Sequence, residues 1–186
     1  RDAFDKLELV GGIDVGFKNS KVFCSIAVCD YKTLRLVEKK SGSKECIIRY
    51  IPGFRAQSEL SIMIDVYNEL EKKPDILLIN ANGVLHPRKC GLASHLGVML
   101  HAPVIGITKK LLCGVATKGN VLLGEEVVGK EFFIESKPKP FYISIGNKVS
   151  LEKSVEIVKA CIKPSHKMPE PLHLAHNMVK DTMKRD

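Results

Sequence analysis

The chain has 186 residues, 45% of them hydrophobic, enough for one domain with a packed core and too many for a disordered chain. Its net charge of +8 and pI near 9.2 suit a polyanionic partner such as nucleic acid. No apolar run approaches the roughly 20 residues that span a bilayer, and the charged opening Arg1-Asp2-Ala3-Phe4-Asp5-Lys6 reads as part of an N-terminal extension over residues 1–8 rather than a secretory leader.

Leu9 to Phe17 predicts a first strand that ends near Asp14. Lys21 to Cys29 predicts a second, and the turn Asp30-Tyr31-Lys32 joins it to a third over Leu34–Lys40. Short turns between strands imply an antiparallel meander. From Pro52 to about Lys72 the period changes. Leu60, Ile64, Tyr67 and Leu70 recur at helical spacing, Met63 and Val66 broaden the stripe, and Pro74 closes the helix. Ile76-Leu77-Leu78-Ile79 is a continuous apolar run, the pattern of a strand buried on both faces of a helix-covered sheet. Gly91–Leu100 predicts a short buried helix, with His95 as a hydrogen-bonded core histidine, and Pro103–Ile107 a strand followed by the basic pair Lys109-Lys110. Gly114–Glu131 is rich in Gly and Val without a clear period and reads as a hairpin or a loop excursion. Pro140–Ser144 predicts another strand, Gly146-Asn147-Lys148 a turn, and Ser150 the N-cap of a helix running to Cys161. A proline-rich connector, Pro164–Pro171, leads to a last short helix over Leu172–Lys180, with His101, His166 and His173 expected at the surface.

The six cysteines show no C-x-x-C pair and no zinc-type spacing with histidine. They read as reduced, mostly buried thiols of a cytoplasmic protein.

A three-strand meander followed by parallel α/β units is the ribonuclease H-like arrangement: an α/β fold with a mixed central sheet flanked by helices. In such a sheet the first and fourth strands lie side by side, which makes Asp14 and Asn80 neighbours. Ligands collect at the carboxyl ends of strands in open α/β sheets. Glu59, in the first turns of the intervening helix, is expected to lean over the same spot. Magnesium takes oxygen ligands, carboxylates above all, and phosphodiester hydrolysis uses such ions to clamp the attacking and leaving oxygens. Asp14 and Glu59 suit that role, although each acid alone is more often a turn residue or a helix-dipole partner.

Six blocks resemble the endonuclease V family: Gly12-Ile13-Asp14-Val15-Gly16-Phe17; Tyr50-Ile51-Pro52-Gly53-Phe54 with Glu59; Asn82-Gly83-Val84-Leu85-His86-Pro87-Arg88 with Gly91-Leu92-Ala93-Ser94-His95-Leu96-Gly97; Gly106-Ile107-Thr108-Lys109-Lys110; Tyr142-Ile143-Ser144-Ile145-Gly146; and Pro169-Glu170-Pro171 with Leu174-Ala175-His176. They run in family order from about Leu9 to about Lys180. The resemblance implies a metal-dependent endonuclease, using magnesium or manganese, that recognises hypoxanthine as deoxyinosine in DNA or inosine in RNA. It implies cleavage at the second phosphodiester 3′ to the lesion. On the resemblance, Asp14 and Glu59 match the metal-binding acids, and Lys109 matches a lysine near the scissile phosphate. His176 matches a position near the metal. Tyr50, with Ile51, Pro52 and Gly53, matches a wedge that fills the gap left by a flipped base. Gly53, Gly83 and Gly106 match walls of a base pocket, and His86 and Arg88 fall in a block expected at the nucleic-acid backbone.

The chain departs from the family where Asn80 replaces an aspartate, at Arg55-Ala56-Gln57-Ser58, and where Asn147-Lys148 replaces His-Arg. Losing one carboxylate beside a dication is expected to cost about 2–4 kcal/mol after discounting for water, or roughly 30- to 1,000-fold in metal affinity. The leading expectation is therefore a single-domain, monomeric nuclease over residues 1–186, slowed by Asn80. The rivals are an inosine-binding module that does not cut and a ribonuclease H-like nuclease without base specificity.

Overall fold

Residues 76–79 carry the most direct link between sequence and architecture. The computed structural model, which describes residues 2, 4, 6–46, 55–134 and 138–186 (backbone alone for 55–58), makes them strand β4, Ile76–Ile79. All four side chains are at most 1% exposed. Ile76 and Leu78 pack into one core cluster, with Val10, Ile105, Ile143, Ile157 and Leu172. Leu77 and Ile79 pack into the other, with Ile13, Ile26, Ile62, Met63 and Leu96. Alternate side chains thus feed opposite faces, as strand geometry requires. Each buried aliphatic side chain stabilises the fold by about 1.5–3 kcal/mol.

Before β4 come β1 (Leu9–Lys18), β2 (Lys21–Asp30), β3 (Leu36–Glu45) and helix α1 (Arg55–Asn68). After it come α2 (Leu92–Met99), β5 (Val104–Thr108), β6 (Val115–Thr117), β7 (Asn120–Leu123), β8 (Glu126–Phe132), β9 (Phe141–Asn147), α3 (Leu151–Ala160) and α4 (Glu170–Arg185). Among the described residues the strands form one nine-stranded sheet in the order β3-β2-β1-β4-β5-β9-β8-β7-β6. β4 runs parallel to β1 and to β5, and the other pairs are antiparallel. This is the anticipated ribonuclease H-like meander joined to parallel units.

The helices close both faces. On one, Gly42 of β3 packs under Val66 of α1, so closely that an added Cβ would lie 2.9 Å from a Val66 methyl. On the other, α4 lies along β1, burying Leu172, Ala175 and Val179. Ser150 caps α3 as expected: its hydroxyl accepts a hydrogen bond from the Lys153 N–H at 3.3 Å.

Several boundaries differ from the sequence reading. β3 starts two residues later and runs to Glu45. It is an edge strand with few buried side chains, so its Lys- and Ser-rich half carries no apolar alternation to read. Gly114–Glu131 folds into β6, β7 and most of β8. Here Gly119 turns at φ +77° and Gly124 at φ +66°, a left-handed backbone that glycine adopts without a Cβ clash. α4 is longer than the predicted last helix, opening at Glu170 within the proline-rich connector, because Pro171 in its first turn lacks only an N–H that no helix bond needs. His95 faces solvent rather than the core, since α2 turns its buried face through Ala93, Ser94, Leu96 and Gly97. Cys24, Cys29 and Cys161 are buried, and burial pushes the Cys29 and Cys161 thiols up to about 12. Cys90, by contrast, is exposed.

Candidate active site

β1 and β4 are in parallel register with Ile13 opposite Ile79. One step further on, Asp14 and Asn80 stand side by side on the α4 face. Asp14 is only 6% exposed. Its Oδ1 accepts a hydrogen bond from the Asn80 side-chain amide at 3.3 Å. Its Oδ2 lies 2.7 Å from Nδ1 of His176, which comes from α4, 162 residues away in sequence. An ionised carboxylate only accepts, so against that form of Asp14 the Nδ1 of His176 is the donor.

The approach of α4 depends on Gly12. A Cβ at that position would sit 2.1 Å from the Pro171 carbonyl carbon and 2.4 Å from the Leu172 nitrogen. Only a glycine lets the helix backbone come this near the strand, and that approach carries His176 to Asp14.

Glu59, on α1, reaches the same place from the other side of the sheet. Asp14, Glu59 and Asn80 line one open pocket of about 250 Å³, with Ile13, Met63 and Leu92 among its apolar walls. Among the described residues no three His, Cys, Asp or Glu side chains converge as a metal-binding group. Two carboxylates and an amide in one pocket nonetheless fit a single, weakly held hard cation, for which all three supply oxygens.

The loop after β4 is held by its own backbone. The Gly83 N–H donates to the Ser144 hydroxyl at 2.9 Å, Val84 N–H to the Ile145 carbonyl at 2.7 Å, and Ala93 N–H to the Asn82 carbonyl at 3.0 Å. Gly83 and Gly106 are glycines because the chain itself fills the adjoining space. A Cβ on Gly83 would lie 1.9 Å from the Ile145 carbonyl oxygen, and one on Gly106 2.6 Å from the Gly83 nitrogen. Further along the loop, Nδ1 of His86 accepts from the Arg88 N–H at 3.2 Å. Burial, then the charges of Arg88 and His95, hold the His86 imidazole below its ordinary pKa. Arg88 is exposed. Asn147, where the family pattern has histidine, donates to the carbonyls of Gly97 and Ala102 at 2.8 and 3.0 Å and so ties β9 to the end of α2.

Lys109 follows β5 and shares a narrow slot with Asn80, over Ile107, Phe141, Met168 and Leu172. The structure thus gathers Asp14, Glu59, Asn80, Lys109 and His176 around the ends of β1, β4 and β5. Tyr50, Ile51, Pro52 and Gly53 lie outside the described residues. Two features were absent from the sequence reading. One is Lys167, which lines the slot beside Lys109. The other is a buttress behind it, where His166 and His173 are stacked at 3.8 Å and buried Glu170 pairs with Lys163 at 2.9 Å and with His166. The only available signal was position: both precede or open the helix that carries His176.

A family model described as Endonuclease V matches residues 1–177. Endonuclease V of Dictyoglomus thermophilum is 35% identical over 184 residues, covering 94% of this chain and 80% of that protein. The solved catalytic domain of human endonuclease V superposes with a TM-score of 0.87 at 28% identity, covering 98% of this chain and 85% of that one. Ciona intestinalis endonuclease V, solved in complex with a 23mer DNA containing an inosine followed by a ribo-adenosine, gives a TM-score of 0.86 at 26% identity, covering 97% and 87%. By sequence and by fold, the chain belongs to the endonuclease V family of nucleases.

Proposed function

We propose that the chain binds inosine-containing nucleic acid and hydrolyses the second phosphodiester 3′ to the lesion, at a rate lowered by Asn80. The observation that carries this reading is the meeting of Asp14, Asn80 and His176 at the ends of β1 and β4, with Glu59 in the same pocket. The inosine-bearing DNA in the Ciona structure supports the substrate class. Nucleases of this family are in general dependent on a divalent metal. Asp14, Glu59 and the Asn80 amide oxygen would hold magnesium or manganese here, and such an ion supplies positive charge against the phosphoryl oxygens when bound.

The chain's own residues do the rest. Lys109 holds a phosphate as a point charge. His176 orients the Asp14 carboxylate through the 2.7 Å contact. His86 and Arg88 present the loop after β4 to the backbone. Gly83 and Gly106, packed against the chain's own backbone, shape the wall beside the hypoxanthine, and Tyr50, with Ile51, Pro52 and Gly53, stacks into the space that the flipped base leaves. The described residues among these belong to one sheet and its connections, which supports a single domain. No helix among the described residues is long and apolar enough to cross a membrane.

The test is nicking of a labelled strand containing one deoxyinosine or inosine, with magnesium and then manganese. Cutting is expected at the second 3′ linkage, slow in magnesium and lost in Asp14→Ala. Cutting retained by Asp14→Ala places the acid site elsewhere, and equal cutting of undamaged strands favours a nuclease without base specificity. Tyr50→Ala is expected to reduce the preference for the lesion strand about tenfold or more, since base stacking on an aromatic contributes about 1–3 kcal/mol. Its salt slope should stay unchanged, because no charge is removed.

One observation favours a second reading, in which the chain binds inosine without cutting. The Asn80 amide points its N–H toward Asp14, so it occupies that carboxylate as a donor. Tight binding with no nicking, persisting in Asn80→Asp, supports that reading.

A further inference from the structure

The slot on the α4 side of Asn80 has a floor of four buried apolar residues and a rim of three polar ones. Ile107, Phe141, Met168 and Leu172, each at most 8% exposed, form the floor. Asn80, Lys109 and Lys167 form the rim, and no carboxylate lines the slot. The free space is about 10 Å³, room for about one water molecule. No base or sugar enters it, so a ligand is met at the rim. Lysine stems tend to lie along apolar surface such as this floor and to leave the ammonium group in solvent.

Lys167 is held in place by its neighbours. His166 is stacked on His173, Met168 is buried, and the Glu170 N–H donates to the Cys161 carbonyl at 2.7 Å, closing the connector. Glu170, the nearest acid in sequence, is already engaged by Lys163 and His166. Among the described residues neither Lys109 nor Lys167 forms an ion pair. Asp14, across Asn80, is already engaged by Asn80 and His176. Two lysines that form no ion pair among the described residues share the lining of this slot with the Asn80 amide, and a tetrahedral phosphate accepts hydrogen bonds from groups of these kinds.

We propose that Lys167, together with Lys109 and the Asn80 amide, forms a backbone-phosphate site that engages the nucleic acid without a metal ion. This rests on the nucleic-acid reading above. It reverses the sign expected for the aspartate at position 80. With metal, Asn80→Asp improves the site; without metal, it puts a negative charge in the same slot as the two lysines and against the phosphate.

The experiment is fluorescence anisotropy of a labelled single strand containing deoxyinosine, and of its deoxyadenosine counterpart, in EDTA over a range of salt. The wild-type chain is expected to bind. Lys167→Ala should lower the slope of log affinity against log salt by about 0.7, the contribution of one phosphate contact on a single strand, and Lys167→Arg should restore it. Lys72→Ala, which alters an exposed lysine before β4, at the end of that strand away from Asn80, should change neither slope nor affinity. Asn80→Asp should weaken metal-free binding on the order of tenfold. Lys167→Ala matching Lys72→Ala, or Asn80→Asp binding more tightly in EDTA, overturns the site, as does a wild-type chain that binds neither strand in EDTA. Equal wild-type affinity for both strands removes the hypoxanthine reading instead, while the Lys167 slope still decides the phosphate site.

Discussion

Asn80→Asp is expected to raise affinity for magnesium and manganese by about 30-fold and to accelerate nicking of an inosine strand with it. A unit charge 4 Å from another interacts by about 4 kcal/mol at an effective dielectric of 20, and a dication doubles that. Asn80 is exposed, so water screens most of this and the lower end applies: about 2 kcal/mol, or roughly 30-fold. The same substitution has a cost without metal. Asp14 accepts from Asn80 at 3.3 Å, so a carboxylate at position 80 faces another carboxylate at that range. Like charges so close raise the pKa of one of the pair. The folded variant then binds a proton that the unfolded chain releases, and metal-free stability falls as pH rises. Thermal melting with and without manganese measures both effects. The variant should melt below the wild type in EDTA at pH 8, recover at pH 5, and rise with manganese more than the wild type does. Equal responses of the two chains to manganese would show that position 80 does not face the ion.

Gly12→Ala is expected to destabilise the protein by about 3 kcal/mol or more, beyond the usual range for overpacking because the obstacle is backbone. The added methyl would stand 2.1 and 2.2 Å from the carbon and oxygen of the Pro171 carbonyl, and neither can rotate away. α4 must lift from β1, loosening Leu172, Ala175 and Val179 and drawing His176 off Asp14. For a domain of this length a 3 kcal/mol loss lowers the melting temperature by about 6–12 °C. Gly119→Ala is the contrast. Nothing lies within 4 Å of its Cβ, but its φ is +77°, so the loss is backbone strain alone, about 1 kcal/mol. Similar melting shifts for the two variants would mean that α4 adapts to the methyl and that the close approach at Gly12 is not needed.

Much of the site was legible because it is built from adjacent strand ends. A four-residue apolar run bounded by polar residues can be buried on both faces only in the middle of a sheet, and strand polarity then puts Asn80 beside Asp14. Glu59 was legible because the stripe Leu60, Ile64, Tyr67 set the phase of α1. The weak points were places where burial gives no period. β3 is an exposed edge, and β6 to β8 form an outlying meander whose strands are only partly covered. His95 was misread because α2 is only eight residues long, too short for its apolar residues to distinguish one face from another.

The amino-acid pattern alone determined that β4 is a strand buried on both faces with Asn80 at its carboxyl end, since strand period and strand polarity are local properties; the pairing of Asp14 with Asn80 followed from the ribonuclease H-like element order, and the loss of one carboxylate from the resemblance to the family. The tertiary structure decided what the Asp14 carboxylate touches. His176 is 162 residues away from it, and Lys167 lines the same slot as Lys109 from the connector to α4, whose approach to the sheet depends on a glycine in β1. Contacts of that kind depend on how closely two backbones approach, and no side-chain period records that distance. Asn80 thus borders two different environments, a pocket that it shares with Asp14 and Glu59 and a slot that it shares with Lys109 and Lys167.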